Sequence, residues 1–176
     1  MKVFNKANYA ICFSFTGDII PLNKLAFLFF YGNQLFTKLV LMQKIEHIGI
    51  AVKDIEESNI LFAKLLNTAH YKMEEVESEG VITSFFKIGE VKIELLQATN
   101  EQSAIHQFVE KKGEGIHHIA FAVEDVNAEL TRLKNEGFEA IHEKAKDGAD
   151  GKVIAFLHPK STNRVLTEIC SDKDVE

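Results

Sequence analysis

Ile116-His117-His118-Ile119-Ala120-Phe121-Ala122-Val123, followed by Glu124-Asp125-Val126, is the stretch whose reading decides the fold. An earlier stretch echoes it: Ile45-Glu46-His47-Ile48-Gly49-Ile50-Ala51-Val52, then Lys53-Asp54-Ile55. At a constant offset of 71 (118 − 47), Ile, His, Ile, Ala, Val and Asp coincide. Each copy alternates like a strand and runs into an aspartate suited to cap a helix. In the first copy Ile45, His47, Gly49 and Ala51 share one face, and Glu46, Ile48, Ile50 and Val52 the other. A histidine at the same point of two copies of one unit is what a site shared between the copies requires.

Outward from the first copy, Asp54 with Glu56 and Glu57 behind it predicts a helix to about Asn67, with Leu61, Phe62, Leu65 and Leu66 as its inward stripe. Strands are expected over 70–76, 81–88 and 91–97, the last two joined by Gly89-Glu90. A helix is expected over 102–112, with Ile105, Phe108 and Val109 inward and Gly113 as its stop. In the second copy a helix from Val126 carries Leu130 and Leu133 and ends at Gly137. A strand over 138–144, a polar loop over 146–151, and strands over 152–157 and 164–170 complete it, the last two joined by His158-Pro159-Lys160-Ser161-Thr162-Asn163. Each half therefore reads β-α-β-β-β, with repeat modules at 44–97 and 116–170, in an α+β fold.

Residues 1–41 differ from the rest. They hold seven of the 14 Phe and only one acid, Asp18, against four lysines, which leaves +3 here and −9 from Met42 onward. The apolar run Leu25 to Tyr31 is too short to span a bilayer. A signal peptide is poorly matched, because Asp18 closely follows the first apolar run and no small-residue cleavage site is clear. Met42 directly precedes the first strand. The expectation is that native translation starts there, that 1–41 is a poorly structured extension outside the native protein, and that 42–176 is the domain. The net charge of −6 argues against a nucleic-acid partner, and two isolated cysteines, Cys12 and Cys170, fit a reducing, cytoplasmic setting.

The duplication also pairs two carboxylates. Glu94 and Glu168 both fall in the last strand of their half, at an offset of 74 (168 − 94), the longer final hairpin accounting for the extra three residues. Two imidazoles and two carboxylates converging on one cavity suit a divalent metal: six-coordinate Co, Mn, Ni or Fe(II), or else Zn. Four protein ligands leave two positions for water or a chelating substrate. Alternation sends His117 to the opposite face from His118. His70, His106 and His142 have no repeat partner, His158 belongs to a turn, and Cys170 reads as a small buried hydrophobe. No G-x-S-x-G elbow, P-loop or G-x-G-x-x-G is present, which removes the common hydrolase, NTPase and dinucleotide signatures.

With these residues in view, the chain resembles the vicinal oxygen chelate superfamily, and within it the methylmalonyl-CoA epimerases. The shared segments are His47-Ile-Gly-Ile-Ala-Val, Lys92-Ile-Glu-Leu-Leu, Gly115-Ile-His-His-Ile-Ala-Phe, and Phe156-Leu-His-Pro-Lys-Ser followed by Val165-Leu-Thr-Glu168. The resemblance covers Met42 to about Cys170. It implies a glyoxalase-type fold, two paired modules forming a curved mixed sheet around a metal cavity. It implies His47, Glu94, His118 and Glu168 as ligands of a divalent ion, Co2+ first, with Mn2+, Ni2+ or Zn2+ as others. It also implies a CoA thioester substrate, epimerised at C2 through a metal-stabilised enolate with Glu168 as a catalytic carboxylate, and a homodimer. A water, Glu94 or an acid of 77–79 is open as the second acid/base group, and Lys160 and the lysines of 144–152 as partners of the CoA phosphates. The chain departs from the pattern at Glu94, where some epimerases carry Gln; at Thr83, where one carries a Glu base; and at Arg164, where Gly is common. The alternatives within the superfamily are a glyoxalase I-type lyase, a dioxygenase and a drug-sequestering binding protein.

Overall fold

The computed structural model describes residues 42–173 and the backbone of two short strands, Phe30–Tyr31 (β1) and Gln34–Leu35 (β2), which pair antiparallel with each other. The rest of the N-terminal stretch set apart by the sequence lies outside the described residues. From residue 42 the elements run β3 (Lys44–Ala51), α1 (Ile55–Leu66), β4 (Lys72–Val76), β5 (Val81–Ile88), β6 (Val91–Ala98), α2 (Ala104–Lys112), β7 (Gly115–Ala122), α3 (Val126–Asn135), β8 (Lys146–Asp147), β9 (Lys152–Leu157) and β10 (Thr167–Asp172).

The helix ends follow local chemistry. The Asp54 carboxylate accepts from the Glu57 amide at 2.9 Å, and Asn67 closes α1 in a left-handed conformation at φ 51°. Asp125 does the same for α3, accepting from the Ala128 amide at 3.0 Å, and the Ser103 hydroxyl caps α2. Each such N-cap contributes about 1 kcal/mol.

One mixed sheet of eight strands results, in the order β4-β5-β6-β3-β7-β10-β9-β8. It is symmetric about the β3–β7 junction. β3 lies parallel to β6 and β7 parallel to β10, while β3 and β7 meet antiparallel. The sheet curls into a half-barrel. α1 covers one half through Ile55, Phe62 and Leu66 against Phe86 and Leu95. α3 covers the other through Val126, Leu130 and Leu133 against Leu157 and Ile169. α2 links the halves and packs Ile105, Phe108 and Val109 on Ala51, Val81 and Leu96.

Three expectations need correction. Leu61 and Leu65 are 61% and 70% exposed, not inward. The buried stripe of α1 starts at Ile55 and recurs at Asn59, Phe62, Ala63 and Leu66, a 3.6-residue period that the dense leucine run obscured. Residues 138–144 form no strand. Only Ala140 bridges, to Leu157, and the Glu139 amide donates to the Ser161 hydroxyl instead of a neighbouring strand. The outer strand of this half is β8, inside the stretch read as a loop. The last strand begins at Thr167 and not at Arg164, because Asn163 and Arg164 are left-handed (φ 52° and 70°) and cannot continue a ladder.

The two sheet edges are joined by side chains. Asp150, in the loop after β8, accepts from Tyr71 Oη (3.0 Å), Lys72 Nζ (3.3 Å) and Lys92 Nζ (2.7 Å), and its amide donates to Glu74 (2.9 Å). Lys146 on β8 pairs with Glu79 at 2.5 Å. A polar seam thus connects β4 and its neighbours to the second half. Among the described residues no helix is long and apolar enough to cross a membrane.

Candidate functional site

The strand register brings the four singled-out residues together. Glu94 sits beside Gly49 in the β3–β6 ladder, and Glu168 beside Ala120 in the β7–β10 ladder. Gly49 and Ala120 are themselves 71 residues apart (120 − 49), so the two carboxylates occupy equivalent places. The Nε2 atoms of His47 and His118 lie 3.0 Å apart. Glu94 Oε2 is 3.3 Å from the first and 3.5 Å from the second. Glu168 Oε1 is 3.8 Å from His47 Nε2, and its Oε2 is 3.5 Å from His118 Nε2. All four side chains are buried. His47, His118 and Glu168 form a group whose ligand atoms lie mutually within 4.8 Å, as a bound divalent cation requires. Two nitrogens each about 2.1 Å from one ion, at right angles, are separated by about 3.0 Å, the separation found here. The donor set therefore fits a divalent metal.

Small residues make the room. An added Cβ on Gly49 would stand 2.2 Å from His118 Cε1 and 2.5 Å from its Nδ1, so the imidazole lies where a side chain would be. The His118 ring is held edge-on against Phe156, with centroids 5.5 Å apart. Around the centre is a cavity of about 200 Å³, walled by Thr83, Phe85, Leu96, Ile105, Phe156 and Leu166 among others.

The β3–β7 ladder contains two register shifts that alternation did not anticipate. Ile45 pairs with Phe121 and His47 with Ala120, so Glu46 is an extra residue on β3. Gly49 pairs with His118 and Ile50 with Ile116, so His117 is an extra residue on β7. The bulges are related by the same offset of 71 (117 − 46). A bulge breaks the two-residue period and re-aims the extra side chain. Glu46 consequently accepts from His47 Nδ1 at 2.5 Å, and His117 Nδ1 lies 3.0 Å from His118 Nδ1. His117 is therefore beside His118, lining the same cavity, and not on the opposite face.

Charge follows from these contacts. Burial resists charging His47, but the bond to Glu46 and the fields of Glu94 and Glu168 prevail and push its pKa up to about 9. Burial would raise Glu46, yet His47 and Lys92 hold it well below the usual carboxylate range. Lys92 lies 2.5 Å and Lys152 3.4 Å from Glu46 Oε1. Burial, with His118 adding to it, pushes His117 down to about 4, which keeps it neutral. Burial also raises Glu168, whereas at Glu94 burial is overcome by the bond from His118 together with the fields of His47 and His118, which lower it. A cation would displace the His47 proton and favour both carboxylates as anions.

The remaining sequence candidates lie elsewhere or are engaged. His158 caps its own turn, accepting from the Lys160 amide. His70 packs on Phe86, and exposed His142 lies at the cavity wall. Glu79 lines the cavity but is paired with Lys146, and Glu77 is exposed. Lys152 is engaged by Glu46 and Asp172. Cys170 is buried, as expected; its grouping with Glu46 and His47 leaves Glu46 already occupied by His47 and two lysines. Sequence reasoning missed Glu46, Lys92, Asp150 and the placement of His117. One signal existed: in both copies a polar residue opens the otherwise aliphatic face, Glu46 before Ile48, Ile50 and Val52, and His117 before Ile119, Phe121 and Val123.

Comparison with known proteins agrees with this architecture. Residues 46–156 match the model of the Glyoxalase/Bleomycin resistance protein/Dioxygenase superfamily. The uncharacterised protein YqjC of Bacillus subtilis is 39% identical over 132 residues, 75% of this chain and 94% of its own. An ethylmalonyl-CoA/methylmalonyl-CoA epimerase of Cereibacter sphaeroides is 37% identical over 128 residues, 72% of this chain and 96% of that protein. Among solved structures, a Streptomyces coelicolor methylmalonyl-CoA epimerase in complex with 2-nitronate-propionyl-CoA superposes with a TM-score of 0.74 at 33% identity, over 77% of this chain and 99% of that one.

Proposed function

This chain belongs to the Glyoxalase/Bleomycin resistance protein/Dioxygenase superfamily, and from that membership and the centre just described we propose that it is a metal-dependent epimerase of methylmalonyl-CoA. His47, Glu94, His118 and Glu168 are the residues that would hold the ion. The observation that carries the reading is their convergence from both halves of the duplication, with both Nε2 atoms 3.0 Å apart. Relatives at 33–37% identity carry the epimerase name, and one is bound to a propionyl-CoA derivative.

Epimerisation at C2 requires loss of a proton next to a thioester and its return on the opposite face. When bound, a divalent cation supplies Lewis-acid stabilisation of the negative charge that develops on the substrate oxygens, worth several kcal/mol. The chain supplies the rest. A carboxylate oxygen of Glu168 takes the C2 proton. Phe85, Leu96, Ile105 and Phe156 keep water from the cavity and so strengthen the electrostatics inside it. Thr83, buried and donating through Oγ1 to the Glu74 carbonyl at 3.2 Å, brings no second carboxylate to that strand. Glu79 is tied to Lys146. The second proton carrier is therefore Glu94 or a water.

The test is direct. The Co2+-loaded protein is mixed with (S)-methylmalonyl-CoA in D2O and C2 is followed by NMR. Deuterium uptake with racemisation is expected. No exchange, with turnover of the methylglyoxal–glutathione adduct instead, would replace this reading with a glyoxalase I-type lyase.

A further inference from the structure

Two bulges 71 residues apart do the same thing to two different residues. Each takes the side chain preceding a histidine, which alternation would send into the helix-covered face, and folds it back onto that histidine's Nδ1. On β3 the side chain is Glu46, a carboxylate anchored by Lys92 at 2.5 Å. On β7 it is His117, an imidazole packed edge-on against Phe108 with ring centroids 5.0 Å apart. The ring of His118 touches His117 through Nδ1 and turns Nε2 toward His47, Glu94 and Glu168. An imidazole that offers the Nε2 lone pair to a cation keeps its proton on Nδ1, and that proton needs an acceptor in a buried site. Within the contacts of His118, His117 Nδ1 is the ring nitrogen placed to accept it.

We propose that His117 is a positioning residue, delivered by the β7 bulge, which accepts the Nδ1 proton of His118 and fixes which nitrogen His118 presents to the metal. The inference rests on the reading of the four-residue centre given above. It makes the two histidines unequal donors. His47 is backed by a carboxylate, and His118 by a second imidazole. The duplication kept the geometry of the support and changed its chemistry.

The experiment compares the parent chain with His117→Phe and His117→Gln. Phenylalanine keeps an aromatic ring against Phe108 and has no acceptor; glutamine offers an amide oxygen. Zn2+ affinity is measured by chelator competition, and the His118 protonation pattern in the Zn2+-loaded protein by long-range 15N–1H NMR. The expected result is a loss of about 10- to 100-fold in Zn2+ affinity for the Phe variant, with recovery toward the parent value in the Gln variant and Nδ1 protonation of His118 in parent and Gln variant. Parent-like affinity in the Phe variant overturns the inference while leaving the centre intact. So does a change confined to KM for the thioester with Zn2+ affinity unaltered, which would make His117 a substrate contact. A parent chain that takes up no Zn2+ overturns the reading of the centre itself, and this inference with it.

Discussion

Gly49 has no side chain because His118 occupies its place. A methyl group there would stand 2.2 Å from the imidazole, so the ring, which packs edge-on against Phe156 and is aimed at the metal centre, would have to shift out of its place. Gly49→Ala is expected to fold with a loss of about 1–3 kcal/mol, typical of overpacking, and to lose most bound Co2+ by elemental analysis. Arg164 is the converse case. The resemblance implies glycine at this position, and φ at Arg164 is 70°, a conformation that glycine adopts without steric cost. A left-handed arginine costs about 1–2 kcal/mol, offset in part by the chain entropy that glycine would lose. Arg164→Gly is therefore expected to be neutral or to raise thermal stability slightly, where an exposed arginine changed to glycine ordinarily lowers it. At this scale the sequence was informative where residue type and repeat position alone decide: two histidines and two glutamates in matching places. It could not reveal Lys92 or Asp150 as site neighbours, because their roles depend on which strands adjoin.

At the scale of elements, the strand and helix periods predicted most boundaries and failed where a second effect intervened. The leucines of α1 suggest a stripe that the helix does not bury, because the cap at Asp54 starts the count at Ile55. Leu65→Ala on α1 is accordingly expected to change stability by no more than about 0.5 kcal/mol. Leu130→Ala on α3, which empties a buried position, is expected to cost about 2–5 kcal/mol; chemical denaturation distinguishes them. The place of His117 is hidden from the sequence because a bulge has no signature in a two-residue alternation. The outer strand of the second half is not legible in the sequence because β8 is only two residues long, pairs with β9 at two positions, and falls within a polar stretch. The polar seam has a pH signature. Burial would raise Asp150, but its bonds from Lys92 and Tyr71 lower it, and the bond from Lys72 similarly lowers Glu74 against burial. A carboxyl depressed in the folded state contributes stability that is complete above its unfolded pKa and is lost as pH falls through the folded one. Asp150→Asn is thus expected to cost about 1–3 kcal/mol at pH 7. The gap from the parent should narrow below about pH 4; a gap constant down to pH 3 would assign the loss to packing instead.

Over the whole molecule, the duplication accounts for both the sheet order and the centre. Two copies of one unit related by a rotation between β3 and β7 place equivalent residues near that junction, and this was legible from a repeat of six identities at constant offset. The curl that brings the edges to the seam was legible only through resemblance, since no alternation pattern encodes it. We propose that residues 42–176 carry the function alone. A chain starting at Met42 should melt at the parent temperature and bind Co2+ with parent affinity, and intact mass of the native protein reports directly whether 1–41 is present. The central claim, that one ion is held between the halves, is tested most directly by metal stoichiometry. Co2+ per chain is measured by elemental analysis after equilibrium dialysis, for the parent and for His47→Ala, Glu94→Ala, His118→Ala and Glu168→Ala. One ion per parent chain, lost or strongly depleted in each variant, is the predicted result; two ions per chain, or full occupancy retained without His118, would contradict it.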